Sequence, residues 1–384
     1  MIEINGYEIL TQIYESTNST VYRGIRQQDN KAVILKFLKE DYPTPSELVR
    51  YKQEYEIIRN LNLDGVIKAY ELKPYQMTLC IILEDFGASS LKQLMDERRE
   101  SGTGVLPLQE FLSIAIKTAE ILSSIHAANI VHKDINPANI IFNPEIGLLK
   151  IIDFGISTQF TRENPTLKNP NVLEGTLAYI SPEQTGRMNR SLDYRTDFYS
   201  LGVTFYELLT GKLPFETNDA LELVHCHIAK VPISPHQINP EIPQVLSDIV
   251  MKLMAKTAEK RYQSGFGIKN DLAECLHQLQ TTGNISDFSL GTQEISDQFQ
   301  IPQKLYGREA EVEALLTAFE RVGDNPQSQI EMMLIAGYSG IGKSSLVAEI
   351  HKPNTRLRGY FTAGKFDQFQ KSIPYSAVVS ALRD

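Results

Sequence analysis

The sequence contains no tryptophan, only three cysteines and no long uninterrupted apolar run. Cys80, Cys226 and Cys275 are scattered and show no CxxC spacing, which argues against a disulfide framework or a zinc site. We expect each to be a small buried thiol in a reducing compartment. The N-terminus lacks a basic region followed by an apolar stretch, and no apolar run approaches the roughly eighteen residues of a membrane-spanning helix. The sequence therefore predicts a cytoplasmic protein without a membrane span.

Basic residues are fewer than acidic ones, 38 against 47, which gives a net charge of −9. There is no basic run with interleaved aromatic residues, so nucleic acid is not expected as a partner. Hydrophobic residues make up 42 % and charged residues 22 %, which is ordinary for a folded protein and argues against wholesale disorder. A chain of 384 residues has room for two domains at roughly 100 to 200 residues each.

The candidate catalytic residues are concentrated in one stretch, His132-Lys133-Asp134-Ile135-Asn136-Pro137-Ala138-Asn139, which is followed by Asp153-Phe154-Gly155. Asp134 is placed to accept a hydroxyl proton, while Asn139 and Asp153 offer the hard oxygen ligands that Mg²⁺ on ATP phosphates requires. Acids and amides after a strand are also common in solvated turns. The interpretation as a phosphoryl-transfer centre therefore depends on the rest of the chain.

The first part of the chain predicts a small antiparallel sheet followed by a helix. Three β-type runs, Tyr7 to Gln12, Thr20 to Gln27 and Lys31 to Leu38, are separated by polar turns. Apolar residues then recur at helical spacing up to Leu61, with Ser46 as the expected N-cap.

Two charged residues of this region have a candidate function. Lys36 ends an apolar strand, where its ammonium can reach the α- and β-phosphates. Glu54 lies beside the apolar stripe of the helix, so that it can point inward and pair with Lys36. Most strand-end lysines and helical glutamates are simply solvated. The candidate functions of Lys36 and Glu54 therefore depend on their pairing with each other.

The run Ile81 to Gly87 is a buried-type strand that ends in acids and a glycine, which is typical of a joint between two lobes. An adenine ring would bind there through backbone N–H and C=O groups, with Glu84 and Phe86 as the expected contacts. An amphipathic helix from Pro107 to Ala128 then leads to the central stretch. A hairpin follows it and brings Asp153 back towards Asn139.

From about Tyr7 to Leu279 the chain resembles the eukaryotic-type serine/threonine protein kinase domain. The residues that carry the resemblance occur in the family's order, namely Lys36, Glu54, Asp134, Asn139, Asp153 and Ser181-Pro182-Glu183. It implies an α+β bilobal fold with a small antiparallel β-sheet N-lobe carrying one helix and a mainly helical C-lobe. It also implies ATP and Mg²⁺ as cofactors, proteins with Ser or Thr hydroxyls as substrates, and a catalytic set of Asp134, Lys36, Glu54, Asn139 and Asp153.

The same resemblance implies four contacts. Lys36 is expected to pair with Glu54, and Glu183 with Arg261. The remaining two would join Asp197 to the catalytic loop, His132 to Asn139, and Thr176 to the catalytic aspartate Asp134. The pattern around Thr176, Gly-Thr-x-x-Tyr-x-x-Pro-Glu, is similar to serine/threonine kinases more than to tyrosine kinases.

The phosphate-covering loop departs from the family pattern. With the chain aligned on Val21, an expected nucleotide contact, residues Tyr14, Ser16 and Ser19 stand where the family has glycines. Without glycine the backbone approaches phosphates less freely. The hydroxyls of Ser16 and Ser19 are candidate replacements, and we expect weakened ATP binding.

Three further positions differ from the family. Lys133 replaces an arginine and loses bidentate recognition of a phosphorylated activation loop. Asn136 replaces a lysine near the γ-phosphate, which is expected to slow transfer because positioned cations are a main source of catalysis there. Ser181 replaces an alanine, which we expect to be tolerated. These departures leave open an alternative function, a nucleotide-binding pseudokinase that acts as a regulatory or scaffold module.

The segment between residues 156 and 180 is polar and long for a loop, which is typical of functional segments. Thr158, Thr161 and Thr166 are candidate autophosphorylation sites within it.

After the kinase-like part, residues 281–303 are rich in Thr, Ser, Gly, Asp and Gln and predict a linker. A β-type run from Met332 to Ala336 then precedes Gly337-Tyr338-Ser339-Gly340-Ile341-Gly342-Lys343-Ser344, which fits the phosphate-binding P-loop pattern. Its expected nucleotide-binding residues are Gly337, Gly340, Gly342, Lys343, Ser344 and Ser345, with Ser344 also a magnesium ligand.

With Gly307-Arg308-Glu309 upstream, this part resembles AAA-like P-loop NTPases of the signal-transduction (STAND) type. No strand ending in a Walker-B acid follows before Asp384, so we expect an incomplete α/β NTPase domain. The predicted organisation is a kinase domain at 7–280, a linker at 281–303 and the start of an NTPase domain at 304–384. The combination resembles the N-terminal part of cyanobacterial-type hybrid signalling proteins, in which sensor and histidine kinase modules follow.

Overall fold

The computed structural model describes residues 4–16, 19–39, 43–102, 104–159, 175–186, 192–217, 219–294, 308–323, 332–336, 343 and 346. The chain divides into two compact units, one formed by residues 1–185 and 192–298 and the other by residues 186–191 and 299–384. All residues of the expected kinase site belong to the first unit.

The first unit begins with a five-stranded antiparallel sheet in the order β1-β2-β3-β5-β4. The strands are β1 (Tyr7–Glu15), β2 (Ser19–Arg26), β3 (Lys31–Leu38), β4 (Ala69–Tyr75) and β5 (Thr78–Glu84). One side of this sheet has its own small core, in which Val33, Leu35 and Phe37 of β3 pack against Cys80 and Ile82 of β5. The alternate residues of β3 point to the opposite face, and this alternation directs Lys36 into the cleft below the sheet.

Helix α1 (Pro45–Leu61) packs against the sheet through Tyr51, Tyr55 and Ile58, which are buried. The expected N-cap Ser46 is wrong, because the helix starts two residues earlier, at Pro45, and Thr44 caps it. The Glu47 N–H donates to the Thr44 hydroxyl, and the Glu47 carboxylate accepts from the Thr44 N–H. Pro45 occupies the first helical position, where its missing N–H costs nothing.

The other lobe is mainly helical and has the larger core. Its short strands β6 (Ser89–Ser90), β7 (Ile130–Val131), β8 (Ile140–Asn143), β9 (Leu148–Ile151) and β10 (Thr158–Gln159) form two small sheets around the catalytic loop. Its helices are α2 (Leu91–Glu100), α3 (Leu108–Ala127), α4 (Arg195–Thr210), α5 (Ala220–Ala229), α6 (Pro235–Ile238), α7 (Gln244–Leu253) and α8 (Gly265–Thr282). Helix α4 is buried along almost its whole length, so the loops that it contacts are held by the core.

Part of the segment predicted as a linker packs on this lobe. Ile285 is buried in the core, and the N–H of Gly291 donates to Asp271 of α8. Glu294 accepts a hydrogen bond from the N–H of Gln263. The boundaries of the kinase domain and linker stay predictions, but the chain up to Glu294 lies against the helical lobe.

In the second unit, helix α9 (Glu309–Gly323) follows the Gly-Arg-Glu element. The β-type run expected at Met332 to Ala336 is wrong, because no strand is present there and Met332 and Leu334 are almost fully exposed. A strand requires a hydrogen-bonded neighbour, and none of the described residues pairs with this run. Lys343 is helical and half-buried, whereas Gly337, Gly340, Gly342, Ser344 and Ser345 lie outside the described residues.

Within the described ranges, none of the helices combines the length and the apolar character needed to cross a bilayer.

Candidate active site

Lys36, Glu54 and Asp153 meet in the cleft between the lobes. The ammonium Nζ of Lys36 lies 2.6 Å from Glu54 Oε1 and 3.0 Å from Asp153 Oδ1. Strand β3, helix α1 and the turn after β9 therefore converge on one ammonium group. The contact expected between Lys36 and Glu54 is present.

Burial and mutual attraction set the charges of this triad. Burial favours the neutral form of Lys36, but the carboxylates of Asp153 and Glu54 outweigh it and raise the pKa of the ammonium. Burial raises the pKa of Glu54 to about 7, although Lys36 acts to lower it. For Asp153 burial is again opposed by Lys36, and the resulting pKa lies below its usual range. Asp153 is thus held as a carboxylate at neutral pH, as a metal ligand must be.

The catalytic loop surrounds the Asp134 carboxylate with donors. The N–H of Thr176 donates to Oδ1 at 2.9 Å, and the amide of Asn139 donates to Oδ2 at 2.9 Å. The contact expected between Thr176 and Asp134 is therefore present, though through the backbone. Gly175, just before Thr176, has a φ of 99°, and a Cβ there would lie 3.1 Å from the Lys133 carbonyl oxygen. Glycine is required for this close approach.

Asn136, which stands at the position of the missing lysine, is used structurally. Its amide donates to the Asp134 carbonyl at 3.1 Å and to the Thr176 hydroxyl at 3.4 Å, and its carbonyl accepts from the N–H of Ala138 at 2.9 Å. The side chain therefore ties the catalytic loop to the segment at Thr176, but it brings no positive charge to the cleft.

Asp197, near the start of α4, holds the loop from below. Its carboxylate accepts hydrogen bonds from the backbone N–H groups of His132 at 2.8 Å and Lys133 at 2.7 Å, and His126 lies 2.8 Å away. Lys133 has a φ of 69°, a left-handed conformation that is strained for a residue with a side chain. Two charge-assisted hydrogen bonds hold this conformation, as the resemblance implies for Asp197.

Asn139 and Asp153 fit the expected Mg²⁺ site. The amide nitrogen of Asn139 is bound to Asp134, which leaves its carbonyl oxygen for a cation. One Asp153 oxygen contacts Lys36 and the Gly155 N–H, while the carboxylate remains 43 % exposed to the cleft. An amide oxygen and a carboxylate oxygen lining one cavity are hard ligands of the kind magnesium takes. Their role as ligands stays a prediction.

An apolar slot of about 230 Å³ extends from Lys36 to the hinge, the segment Glu84–Phe86 between the two lobes. It is lined mainly by aliphatic side chains, namely Ile13, Val21, Ile34, Leu83, Ile141 and Ile152. Glu84 and Phe86 also line the slot. A flat heteroaromatic ring fits such a slot, because apolar walls would cover its faces and backbone groups its edge.

Contacts that hold the hinge were missed from the sequence. Lys150 of β9 lies in contact with Glu84 at 2.5 Å and donates to the carbonyl of Val66, and Arg23 of β2 lies 2.6 Å from Asp85. Lys150 interrupts an otherwise apolar strand, Leu148–Ile151, and a lysine in a buried strand is the signal that it has a partner. The Glu84 side chain thus supports the hinge.

The phosphate-covering loop is closed by its serines. The Ser16 hydroxyl accepts from the Ser19 N–H at 3.0 Å and lies 3.1 Å from the Ser19 hydroxyl. Ser16 and Ser19 line the cavity above Asp153 with Tyr14. The serines therefore bind each other, and the Ser19 N–H already has a partner that a phosphate would have to displace.

Glu183 and Arg261 form a buried bidentate ion pair, as expected, with N–O distances of 2.6 and 2.8 Å. Burial raises the pKa of Glu183, but Arg261 and the Thr196 hydroxyl outweigh burial, so the pKa lies below its usual range. The pair fastens the end of the segment that carries Thr176. Of the candidate autophosphorylation sites, Thr158 lies in β10, whereas Thr161 and Thr166 lie outside the described residues.

The protein kinase domain model matches residues 7–275, and the AAA ATPase domain model matches residues 304–384. The chain is 34 % identical over 364 residues to hybrid signal transduction histidine kinase G of Dictyostelium discoideum, covering 72 % of this chain and 10 % of that protein. It is 35 % identical over 269 residues to a probable serine/threonine-protein kinase of Clostridium perfringens, covering 70 % of this chain and 38 % of that protein. The chain is 28 % identical over 267 residues to serine/threonine-protein kinase PrkC of Bacillus subtilis, covering 69 % of this chain and 40 % of that protein. The chain thus spans less than half the length of each of these relatives.

Proposed function

The chain belongs to the protein kinase family, and from this premise we propose that it transfers the γ-phosphate of ATP to serine and threonine hydroxyls of proteins. The observation that carries the proposal is the cleft in which Lys36, bound to Glu54 and Asp153, faces Asp134 and Asn139. The names of the relatives in Clostridium and Bacillus support the choice of serine and threonine as acceptors.

Each residue has a defined task in this reaction. Lys36 would contact the α- and β-phosphates, and Glu54 holds its ammonium in place. Asp134 would accept the proton of the substrate hydroxyl, while the Thr176 N–H and the Asn139 amide fix the direction of its carboxylate. Asn139 and Asp153 would hold Mg²⁺, which when bound neutralises charge that develops on the β- and γ-oxygens.

Transfer from γ-labelled ATP to the protein itself and to a generic Ser/Thr protein tests the proposal. We expect label on serine and threonine with the full chain, and no label after EDTA removes divalent cations. If the full chain binds ATP but transfers no label to any acceptor, the proposal fails.

The change Asn136→Lys is expected to raise the transfer rate by about 10-fold, because it places a cation near the transferred phosphate. Asn136 lines the same cavity as Asn139 and Asp153, so a lysine side chain starts at its edge. The measurement is the single-turnover rate at saturating ATP. Asn136→Met is the matched control, since it has a similar chain length without the charge and is expected to give no increase. A rise with Met, or none with Lys, would show that charge at this position does not limit the rate.

A pseudokinase is the second candidate, favoured by the hydrogen bond from the Ser19 N–H to Ser16, which a phosphate would have to displace. Titration with ATP and Mg²⁺ separates the two functions. Binding with no turnover, even in the Asn136→Lys variant, would support the pseudokinase.

We further propose that Lys343 and its neighbours bind a second nucleotide, supported by the match to an AAA ATPase domain. The likeness to a hybrid histidine kinase supports a role in signal transduction, with sensor and histidine kinase modules as partners. We place the reaction in the cytoplasm, where ATP is present and where the unpaired Cys80, Cys226 and Cys275 stay reduced.

A further inference from the structure

Gln184 carries a buried side-chain amide that joins two parts of the site. Its Nε2 donates to the Lys133 carbonyl at 2.8 Å, and the two residues are 51 positions apart in the chain. Gln184 is 7 % exposed and Lys133 is 5 % exposed, so this hydrogen bond lies away from water. The reaction described above gives Gln184 no task, although its partner directly precedes Asp134.

Ser181 fixes which end of the Gln184 amide faces Lys133. The Ser181 N–H donates to Oε1 of Gln184 at 3.1 Å, and the Ser181 hydroxyl accepts from the Gln184 N–H at 3.3 Å. This is the reciprocal arrangement of a capping box, here at the start of the 3₁₀ turn Pro182–Thr185. A backbone N–H only donates and a carbonyl only accepts, so the amide oxygen must face Ser181 and the amide nitrogen must face Lys133.

The peptide between Lys133 and Asp134 is held at both edges. Gln184 binds its carbonyl, and its N–H, which belongs to Asp134, donates to Nδ1 of His132 at 3.3 Å. A peptide unit is planar, so these two hydrogen bonds together set its rotation and the direction in which the Asp134 side chain leaves the backbone. Rotation away from this position would leave a buried carbonyl without its donor, which costs free energy.

The position of Gln184 is set by its neighbours in the turn. Glu183 forms the buried ion pair with Arg261, and the Thr185 hydroxyl donates to the Pro182 carbonyl at 2.6 Å. The turn is thus anchored in the helical lobe, and the Gln184 amide extends this anchoring to the peptide next to the catalytic base.

We propose that Gln184 is a positioning residue for phosphoryl transfer, whose amide, directed by the Ser181 N–H, holds the Lys133–Asp134 peptide and thereby the direction of the Asp134 carboxylate. The inference rests on the proposed kinase function. It makes the orientation of the base depend on the turn Pro182–Thr185 as well as on the catalytic loop.

Gln184→Met tests the proposal, because methionine has a similar length but lacks the amide. We expect the single-turnover transfer rate at saturating ATP and substrate to fall about 10-fold, since a displaced base slows the chemical step even when both substrates are bound. The KM for ATP should stay within about twofold of the wild type, because Lys36 and Asp153 keep their contacts. A transfer rate within about twofold of the wild type would overturn the proposal.

The chain contains a matched control in Gln237→Met. Ser234-Pro235-His236-Gln237 has the same Ser-Pro-x-Gln pattern as Ser181-Pro182-Glu183-Gln184, and it forms the same capping box at the start of α6. The Gln237 side chain accepts from the Ser234 N–H at 3.3 Å, and among the described residues none of its hydrogen bonds reaches the catalytic loop. We therefore expect an unchanged transfer rate. Equal losses for the two changes would overturn the proposal, because capping alone would explain them.

Ser181→Ala is a second control within the site. It introduces the family's residue and removes only the hydroxyl, while the backbone N–H still holds Oε1 of Gln184. We expect the transfer rate to stay within about threefold of the wild type, because the amide keeps its direction. A loss as large as that of Gln184→Met would overturn the proposal, since the hydroxyl and not the amide donor would then matter.

A spectroscopic measurement is independent of catalysis. Lysine followed by aspartate occurs only once in the sequence, at Lys133-Asp134. A full chain labelled with ¹³C in the lysine carbonyls and with ¹⁵N in aspartate therefore gives one carbonyl–amide correlation, from this peptide. Because a hydrogen bond deshields the carbonyl carbon, we expect its resonance to move upfield in Gln184→Met and to stay in place in Gln237→Met.

An unchanged carbonyl resonance in Gln184→Met would overturn the proposal even in an active kinase. If the expected upfield shift appears in a protein without transfer activity, the proposed kinase function fails, while the hydrogen bond from Gln184 to Lys133 stands.

Discussion

Asp134→Asn is expected to lower the rate of phosphoryl transfer by about 10²- to 10⁴-fold, which is the range that a positioned general base contributes. The change replaces one oxygen by nitrogen. The new amide nitrogen can no longer accept from Asn139. The remaining oxygen can still accept from the Thr176 N–H, and the Asn139 amide keeps its bond to the backbone carbonyl of residue 134, so the loop keeps its position. An amide cannot take the proton of the substrate hydroxyl, and transfer then proceeds without a base.

Single-turnover transfer from γ-labelled ATP measures this effect, and calorimetric titration measures ATP affinity in the same proteins. The affinity should stay within about threefold of the wild type, because Lys36 and Asp153 are unchanged and Asp134 makes no contact with either. Asp248→Asn on the exposed face of α7 is the control, with the same change of charge and no expected effect. A rate for Asp134→Asn within threefold of the wild type would remove Asp134 as the base.

Contacts between residues of regular elements could be predicted from the sequence. Helical periodicity places Glu54 beside the apolar stripe of α1, and strand alternation places Lys36 on the cleft face of β3, so their pairing follows from two local patterns. The hairpin of β8 and β9 likewise brings Asp153 close to Asn139. For Lys36 and Glu54, a period of 2 or 3.6 residues decides which face the side chain occupies.

Other contacts of the site could not be predicted from local periodicity. The Lys150–Glu84 contact joins residues 66 positions apart, and the Gln184–Lys133 hydrogen bond joins residues 51 positions apart. The closure of the phosphate-covering loop by Ser16 and Ser19 depends on hydroxyl orientation, which composition does not fix. Thr44 and Ser46 are both acceptable N-caps by residue type, and the partner Glu47 decided between them.

Hydrogen bonding gives Asn136 a role that the sequence resemblance did not imply. The sequence shows that Asn136 lacks the positive charge of the family's lysine. In the structure its amide donates hydrogen bonds to the Asp134 carbonyl and to the Thr176 hydroxyl. The position therefore retains a structural task after losing the electrostatic one. This is why the lysine variant is expected to increase the rate only about 10-fold, below the 10²- to 10³-fold that a fully preorganised donor supplies.

Arg261→Met is expected to lower the free energy of unfolding by about 3 to 5 kcal/mol, the range found when one member of a buried ion pair is removed. The Arg261 side chain is completely buried, and it donates to the Glu183 carboxylate and to the carbonyls of Ala255 and Arg195. Methionine fills most of the volume but leaves these carbonyls without the arginine donor, and it leaves the buried carboxylate with the Thr196 hydroxyl but without a counter-charge. Urea unfolding of the full chain, followed by circular dichroism, measures the loss.

The exposed pair Lys269–Glu120 provides the control for charge removal, since its members are 34 % and 56 % exposed. Lys269→Met is expected to change the unfolding free energy by no more than about 1 kcal/mol. The double variant Glu183→Met with Arg261→Met should regain part of the stability, because it no longer leaves a buried carboxylate unpaired. A loss for Arg261→Met as small as that for Lys269→Met would contradict the argument. In that case water must reach Glu183, and the segment from Thr176 to Thr185 would be fixed by its packing on α4 alone.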